Sequence, residues 1–245
     1  MRVTVLGGGG GYPTPERACS GYLVEHDDFQ LLMDPGHATM SRLVEYVSPE
    51  DVDAVLVTHG HADHCADLNP LLRARHLADD PPGQLPIHAP SGALDALLSL
   101  DGAMLADDWT LTVLLSAQEV VIGPFTVTSV ELPHFVSNLG VRISAGGRLL
   151  AYTGDAGASP DTVDLARGAD ALLAEASFVD EVPTESAEGL SSARDRGKVA
   201  AEAGVGQLVL CHVWPGESTD RLRQAARREF SGEIAVATPG LTIEV

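Results

Sequence analysis

The chain has 245 residues with 15 basic and 35 acidic side chains, which gives a formal net charge of −20. A field of this sign repels polyanions, so a large nucleic acid is not the expected partner, although bound divalent metals would reverse the potential locally. The hydrophobic fraction of 44% is that of a globular protein, and no apolar run approaches the ~20 residues of a membrane span. Three scattered cysteines do not suggest a disulfide framework, so we expect a cytoplasmic protein.

The first part of the chain alternates short β-favouring runs with segments of helical spacing. Strands are predicted at residues 2–6, 20–25, 30–34, 53–58 and 85–88, between clusters of Gly, Pro and Asp. Helices are predicted at residues 38–47, 68–77 and 93–100, where apolar side chains recur on one face. The apolar run at residues 53–58 is typical of a buried strand and ends abruptly at a group of histidines.

The middle of the chain is mostly β, and the last third alternates again. Strands are predicted at residues 111–115, 119–122, 125–132, 140–144 and 148–153. After these come helices at residues 160–167, 191–203 and 218–229, and strands at residues 170–174, 207–211, 233–237 and 241–244. Two strand-rich regions, each followed by helices, predict two sheets packed face to face with helices outside.

The segment THGHADH, residues 58–64, is the most informative part of the sequence. Histidine makes up only 9 of the 245 residues, so three histidines and one aspartate at this fixed spacing are not expected by chance. A tight loop after a buried strand can direct His59 and His61 towards one metal, and Asp63 and His64 towards a second. Imidazole and carboxylate groups are the ligands that suit zinc and its neighbours.

The HxHxDH pattern after an apolar strand resembles the metallo-β-lactamase superfamily, and the resemblance covers nearly the whole chain. It implies an α/β (α+β) fold, a four-layer αβ/βα sandwich in a single domain over residues 1–245, with metals at the edge of the two sheets. Three more ligands should then follow in order at strand ends. The candidates are His134 in ELPHF, Asp155 in YTGDAG and His212 in LVLCHVWP.

The resemblance therefore implies seven ligands for two divalent metals. One metal would be held by His59, His61 and His134, the other by Asp63, His64 and His212, and both by Asp155. Zinc is the expected metal, although His/Asp sites of this kind also accept Mn or Fe. Asp34, in LLMDPG, lies where many members of the superfamily carry a carboxylate behind the histidine loop.

The closer resemblance is to the ribonuclease Z-like and phosphodiesterase branch, through the segments VTVLGGGGGYPTP, HFVSNLGVRI and ALLAEASF. The last segment contains Glu175, which in that branch pairs with a downstream histidine that donates a proton to the leaving group. Here Gly189 occupies the position of that histidine. The chain also lacks the long Gly/Pro-rich arm with which ribonuclease Z holds tRNA. Both departures, together with the net charge, argue against tRNA as a partner.

The resemblance implies a hydrolase whose two metals activate a water, and we expect it to act on small phosphodiesters. Catalytic roles are predicted for Asp63, for Glu175 and for His37, the candidate replacement for the missing proton donor because it lies three residues after Asp34. A lactone, thioester or β-lactam is the alternative substrate class for the same site. A non-catalytic metal-binding protein is the alternative of another class. A homodimer is expected only because dimers are common in this branch.

Overall fold

The computed structural model describes residues 1–245, whose strands form two seven-stranded sheets. The first sheet has the strand order β14-β1-β2-β3-β4-β5-β6. Its strands are β1 (Arg2–Gly7), β2 (Gly21–His26), β3 (Phe29–Met33), β4 (Ala54–Leu56), β5 (Leu85–Pro90), β6 (Trp109–Leu114) and β14 (Thr242–Glu244). Strands β3 to β6 are parallel, and the other pairs of this sheet are antiparallel.

The second sheet has the strand order β13-β12-β11-β10-β9-β8-β7. Its strands are β7 (Glu119–Ile122), β8 (Phe125–Leu132), β9 (Asn138–Ala145), β10 (Arg148–Tyr152), β11 (Ala171–Glu175), β12 (Gln207–Cys211) and β13 (Glu233–Val236). Strands β10 to β13 are parallel, and β7 to β10 are antiparallel. Strand β8 therefore runs in the same direction as β10, and the segments that follow β8, β10 and β12 leave the sheet at the same edge.

Seven α-helices and two 3₁₀ turns, Pro49–Asp51 and Gly102–Met104, connect the strands. The helices are α1 (Met40–Leu43), α2 (Ala62–Cys65), α3 (Leu68–His76), α4 (Asp95–Leu98), α5 (Pro160–Ala166), α6 (Ala193–Ala203) and α7 (Thr219–Arg227). The hydroxyls of Ser159, Ser192 and Ser218 accept hydrogen bonds from first-turn amides and so define where α5, α6 and α7 begin. All seven are too short or too polar to cross a membrane.

Three clusters of buried apolar side chains define the layers of the molecule. The largest lies between the sheets, where Tyr22 and Leu31 of the first sheet meet Phe125 and Tyr152 of the second. A second cluster joins the outer face of the second sheet to α5, α6 and α7. The third joins the outer face of the first sheet to α1 and α3. The order is helix–sheet–sheet–helix, so the predicted four-layer αβ/βα sandwich is confirmed.

Two predicted helices are shorter than their apolar periodicity suggested. Helix α1 covers only Met40–Leu43 of the predicted 38–47, and α4 covers only Asp95–Leu98 of 93–100. Ala38 has a positive φ of 68°, which prevents the helix from starting there. The residues after Leu43 form turns in which Val44 and Tyr46 are exposed, and only Val47 packs against the third cluster.

Candidate metal centre

The seven predicted ligand side chains meet at one edge of the sandwich. His59, His61, Asp63 and His64 lie on the loop and short helix α2 that follow β4, whereas His134, Asp155 and His212 follow β8, β10 and β12. Their donor atoms form two groups, and within each group they lie within 4.8 Å of one another. The first group contains His59, His61, His134 and Asp155, and the second contains Asp63, His64 and His212. Together we call these seven side chains the cluster.

Asp155 lies between the two groups. Its Oδ2 atom is 3.0 Å from Nε2 of His212 and 3.9 Å from Nε2 of His59. Its Oδ1 atom is 3.3 Å from Nε2 of His64. This one carboxylate therefore reaches imidazoles of both groups.

The imidazole rings of the cluster are oriented by polar atoms that lie outside the cluster. Four of them direct Nδ1 to a fixed oxygen, which leaves Nε2 facing the cluster. The contacts are His59 to Thr58 Oγ1 at 3.1 Å, His64 to Asp34 Oδ2 at 2.8 Å, His134 to the Gly189 carbonyl at 2.8 Å and His212 to Ser177 Oγ at 2.9 Å. His61 instead presents Nδ1, which lies 3.1 Å from Nε2 of both His59 and His134. Outer contacts of this kind set the tautomer and orientation of metal-binding histidines.

The donor set fits divalent metals. His64 Nε2 and Asp155 Oδ1 are buried polar atoms that lie 3.3 Å apart without forming a hydrogen bond, an arrangement that is costly unless a ligand satisfies them. Burial lowers the pKa of His59 well below its usual value, and the neighbouring His64 lowers it further. The His59 ring is therefore neutral, which is the form that binds metal. Five imidazoles and two carboxylates form a site suited to Zn, Mn or Fe.

The carboxylates of the cluster remain ionised. Burial raises the pKa of Asp155, but His212 and His64 outweigh that effect and hold it well below its usual value. Burial likewise lowers the pKa of His212, but Asp155 outweighs burial and raises it to about 10. Without a cation, the negative charge of Asp155 is thus balanced by protonated imidazole. A bound metal takes the place of that proton.

Asp34 supports the histidine loop from within the core. Its carboxylate accepts hydrogen bonds from the amide and hydroxyl of Thr58, both at 2.7 Å, and from the Tyr152 hydroxyl at 2.8 Å, besides its contact with His64. Asp34 and His212 adopt positive φ angles of 45° and 55°, which non-glycine residues rarely do. Such strain is characteristic of functional sites.

Replacing Asp34 by asparagine is expected to weaken metal binding by about 10- to 100-fold, the usual effect of losing an outer partner of a metal-binding histidine. The amide keeps the size of the side chain but cannot accept all four hydrogen bonds. Competition with a chromogenic chelator measures the affinity. Asp53→Asn is the matched control, because Asp53 also accepts an amide between β3 and β4, from Gln30, but lies at the exposed end. Equal affinities in the two variants would contradict the role of Asp34.

Glu175 lies outside the cluster, fully buried at the end of β11. Its Oε1 atom accepts the amides of Ser177 at 2.8 Å and Ser191 at 3.2 Å, and its Oε2 atom lies 3.2 Å from the guanidinium of Arg196. Burial raises the pKa of Glu175, although Arg196 opposes this shift. The carboxylate forms no hydrogen bond with the cluster. Glu175 therefore lies behind the segment from Ser177 to Gly189, whose ends contact His212 and His134.

His37 is close to the histidine loop but is not part of the cluster. A Cβ atom at the preceding Gly36 would lie only 1.9 Å from the carbonyl oxygen of Asp63, so the two main-chain segments are in direct contact. The His37 carbonyl accepts the amide of Cys19 at 3.0 Å. Its ring is half-buried and forms no hydrogen bond with the protein.

At Gly189 the main chain contributes to the site in place of a side chain. Its carbonyl accepts the Nδ1 proton of His134, and a Cβ atom here would lie 2.7 Å from the ring of Phe135. Phe135 thus fills the space that a side chain at position 189 would need.

The glycine run after β1 also contacts the cluster, which the sequence did not reveal. A Cβ atom at Gly10 would lie 2.5 Å from the imidazole of His212, so only glycine fits there. The amide of Gly11 donates to Asp63 Oδ2 at 2.7 Å. Ser177 and Tyr152 were missed as well, because a single serine or tyrosine at a strand end carries no distinctive pattern. The strict glycine run was the one indication available for this loop.

Comparison with known proteins places the chain in a family. The model of the Beta-lactamase superfamily domain matches residues 30–213. The chain belongs to the β-lactamase superfamily. It is 33% identical over 253 aligned positions to the probable metallo-hydrolase YhfI of Bacillus subtilis, with 100% of both chains covered. The crystal structure of YhfI superposes with a TM-score of 0.91, covering 100% of this chain and 98% of that one. The metallo-β-lactamase resemblance of the sequence is confirmed.

Two further matches are ribonuclease Z proteins. Ribonuclease Z of Haloferax volcanii is 28% identical over 302 aligned positions, which cover 100% of this chain and 95% of the relative. The crystal structure of the short form of human tRNase Z has a TM-score of 0.79 at 23% identity, covering 100% and 99% of the two chains. At this identity, the similarity to human tRNase Z shows a shared fold only.

Proposed function

We propose that the protein is a dinuclear metal-dependent phosphodiesterase that acts on small phosphodiesters. Membership of the superfamily makes it a metallo-hydrolase. The observation that carries the proposal is the pair of donor groups with Asp155 between them. Two divalent cations held there, expected to be zinc, supply Lewis acidity and lower the pKa of water towards ~7.

In this proposal the cluster holds the cations, and the outer contacts keep its geometry fixed. One cation would be held by His59, His61 and His134, the other by Asp63, His64 and His212, and Asp155 would contribute to both. Asp63 is held in turn by the Gly11 amide, so the loop after β1 takes part in positioning this ligand. Fixed charges and donors of this kind stabilise a transition state without reorganising during the reaction.

One observation supports chemistry at a phosphodiester, and two others favour a small substrate over tRNA. The similarity to ribonuclease Z supports chemistry at a phosphodiester bond. The alignment with that relative runs over 302 positions against 245 residues here, so the relative contains insertions that this chain lacks. The net charge of −20 also slows the approach of a large polyanion.

Parallel assays of the purified, metal-loaded protein test this proposal. The substrates are bis-p-nitrophenyl phosphate, a lactone, the β-lactam nitrocefin and a precursor tRNA. We expect hydrolysis of the phosphodiester and little or no cleavage of the tRNA at physiological salt. Faster hydrolysis of the lactone or nitrocefin would replace the proposal with carbonyl chemistry at the same site. Efficient 3′-end processing of tRNA would contradict the argument from charge and missing insertions, and inactivity on all four would favour a non-catalytic metal-binding protein.

We propose that Glu175 acts as a positioning residue rather than by contact with substrate. The Arg196 side chain, only 1% exposed, donates to both the carboxylate and the main-chain carbonyl of Glu175. Glu175 in turn binds the amides on both sides of the segment that orients His134 and His212. A buried ion pair that loses one partner leaves the other charge uncompensated.

Arg196→Met alone is therefore expected to lower the free energy of unfolding by about 3–5 kcal/mol. The double variant Glu175→Gln/Arg196→Met removes both charges and should recover most of this loss, yet still bind metal more weakly than the wild type. Chemical denaturation and chelator competition measure the two effects. Arg194→Met is the matched control, because its partner Glu229 is at the surface and such pairs contribute about 1 kcal/mol or less. Wild-type metal affinity in the double variant would limit Glu175 to a structural role.

A further inference from the structure

Arg17 differs from every other basic residue of the chain. Of the fifteen basic side chains, fourteen donate at least one hydrogen bond to a carboxylate or a main-chain carbonyl. Arg17 donates none, although the chain contains 35 acidic residues. It is half-buried, and its methylene groups lie 3.2–3.3 Å from the position that a Cβ atom of Gly9 would occupy. Burial lowers the pKa of the Arg17 guanidinium, and no neighbouring charge opposes this shift.

Arg17 lines a cavity of about 290 Å³ beside the cluster. The walls come from the loop after β1, the segment after β12 and the segment after β13, and they include Tyr12, Thr14 and Trp214. The ring of Trp214 is nearly perpendicular to that of His212, with centroids 6.3 Å apart. Gly9 and Val213, which also line the cavity, flank Gly10 and His212 in sequence. The cavity therefore adjoins the donor group of Asp63, His64 and His212.

We infer that this cavity binds a second anionic group of the substrate, a phosphoryl or carboxylate group beyond the scissile phosphodiester, with Arg17 as its receptor. The inference rests on the proposed phosphodiesterase function. A guanidinium presents paired N–H donors that match the two oxygens of a phosphate or carboxylate. A half-buried charge that has lost part of its hydration gains most from such a ligand. The aromatic wall formed by Tyr12 and Trp214 accommodates the carbon part of the same substituent.

The acidic residues of the cavity limit what it can accept. Glu16 and Glu217 line it, but neither forms an ion pair with Arg17, and Glu217 instead pairs with Arg221 at 3.2 Å. One free positive charge flanked by two carboxylates suits a single small anion and disfavours a chain of phosphates. This agrees with a small substrate.

Three p-nitrophenyl phosphodiesters test the inference on the metal-loaded enzyme, since they share one leaving group and differ only in the second alcohol. That alcohol is ethanol, glycolate or phosphoethanol, so the added group is neutral, a carboxylate or a phosphoryl group. We expect Arg17→Gln to reduce kcat/KM for the two anionic esters by about 10- to 100-fold, the usual worth of hydrogen bonds to charged groups. The ethyl ester should change by less than about threefold. The anionic ester whose kcat/KM falls more identifies the preferred anion.

A binding measurement separates the cavity from catalysis. The chain contains two tryptophans, so in a Trp109→Phe background the fluorescence of Trp214 reports on the cavity. Inorganic phosphate is the probe, and metal-loaded Arg17→Gln should bind it about tenfold or more weakly than the same protein with Arg17. Arg148→Gln is the control, because Arg148 is exposed and paired with Asp170.

The outcomes distinguish the two claims. Equal losses on all three esters would assign Arg17 to the scissile phosphate and overturn the inference. Unchanged rates and unchanged phosphate binding would overturn it as well, while the phosphodiesterase function stands. If none of the esters is hydrolysed but phosphate binding still depends on Arg17, the proposed function fails and the anion site is supported.

Discussion

Replacement of Asp155 by alanine is expected to abolish hydrolysis in a protein that still folds. Its carboxylate oxygens approach imidazoles of both donor groups, so the change removes the one ligand that the two cations would share. Metal ions contribute several kcal/mol to transition-state stabilisation, and ~1.4 kcal/mol corresponds to a factor of ten in rate. The rate should therefore fall by at least about 10³-fold, measured with bis-p-nitrophenyl phosphate at saturating metal.

The control for this prediction is Asp220→Ala. Asp220 is an exposed residue at the start of α7, paired only with Arg223, so its removal should leave the rate unchanged. Circular dichroism of both variants verifies the fold. If Asp155→Ala keeps more than about a tenth of the wild-type rate, Asp155 is not an essential ligand. The proposal that two cations share it would then be contradicted.

The second large effect concerns His37. The family resemblance leads us to expect a proton-donating histidine where this sequence has Gly189, so we propose the half-buried ring of His37 as the source of the proton for the leaving group. His37→Ala should slow phosphodiesters with alkoxide leaving groups by about 10²–10⁴-fold, the usual contribution of general acid catalysis. It should leave p-nitrophenyl esters nearly unaffected, because p-nitrophenolate departs without protonation.

The comparison requires a dialkyl phosphodiester, followed by phosphorus NMR, beside the p-nitrophenyl ester of the same size. His76→Ala is the matched control, since His76 pairs with Asp108 at the surface at 2.9 Å. Equal losses on both esters would indicate that His37 has a positional role. No loss on either would remove it from the mechanism and leave Gly189 without a replacement.

The sequence was most informative where a pattern repeats or a spacing is fixed. Strand and helix periodicity placed the elements of both sheets, and the HxHxDH spacing led to a set of residues that the fold brings to one edge. Ligands such as His134 and His212 could be expected because each directly follows an apolar strand, and strands of one direction end at the same edge. The order of ligands along the chain then constrained each choice.

Contacts between residues that are far apart in the sequence could not be predicted from spacing or periodicity. The hydroxyl of Tyr152 reaches Asp34 across the space between the two sheets, over 118 positions of sequence. Gly189 orients His134 through its carbonyl, and any residue has a carbonyl, so no residue type signals this role. The pairing of Glu175 with Arg196 likewise depends on how α6 packs on β11.

The boundaries predicted for helices α1 and α4 were wrong for a different reason. Met40, Leu43, Val44 and Val47 have helical spacing, but Val44 is 53% exposed in the turns after Leu43, so the four side chains do not form one buried helical face. Spacing alone does not fix the hydrogen-bonding pattern, and at the start of this segment the positive φ of Ala38 excludes a helical residue.

We propose that two divalent cations bind side by side in this cluster. Elemental analysis of protein purified without chelators and supplemented with zinc, manganese or iron tests it most directly. We expect two equivalents of metal per chain, with zinc–imidazole distances of about 2.0–2.1 Å in a crystal structure if the metal is zinc. Fewer than one equivalent after supplementation would contradict the account, because the seven converging side chains would then not form a metal centre.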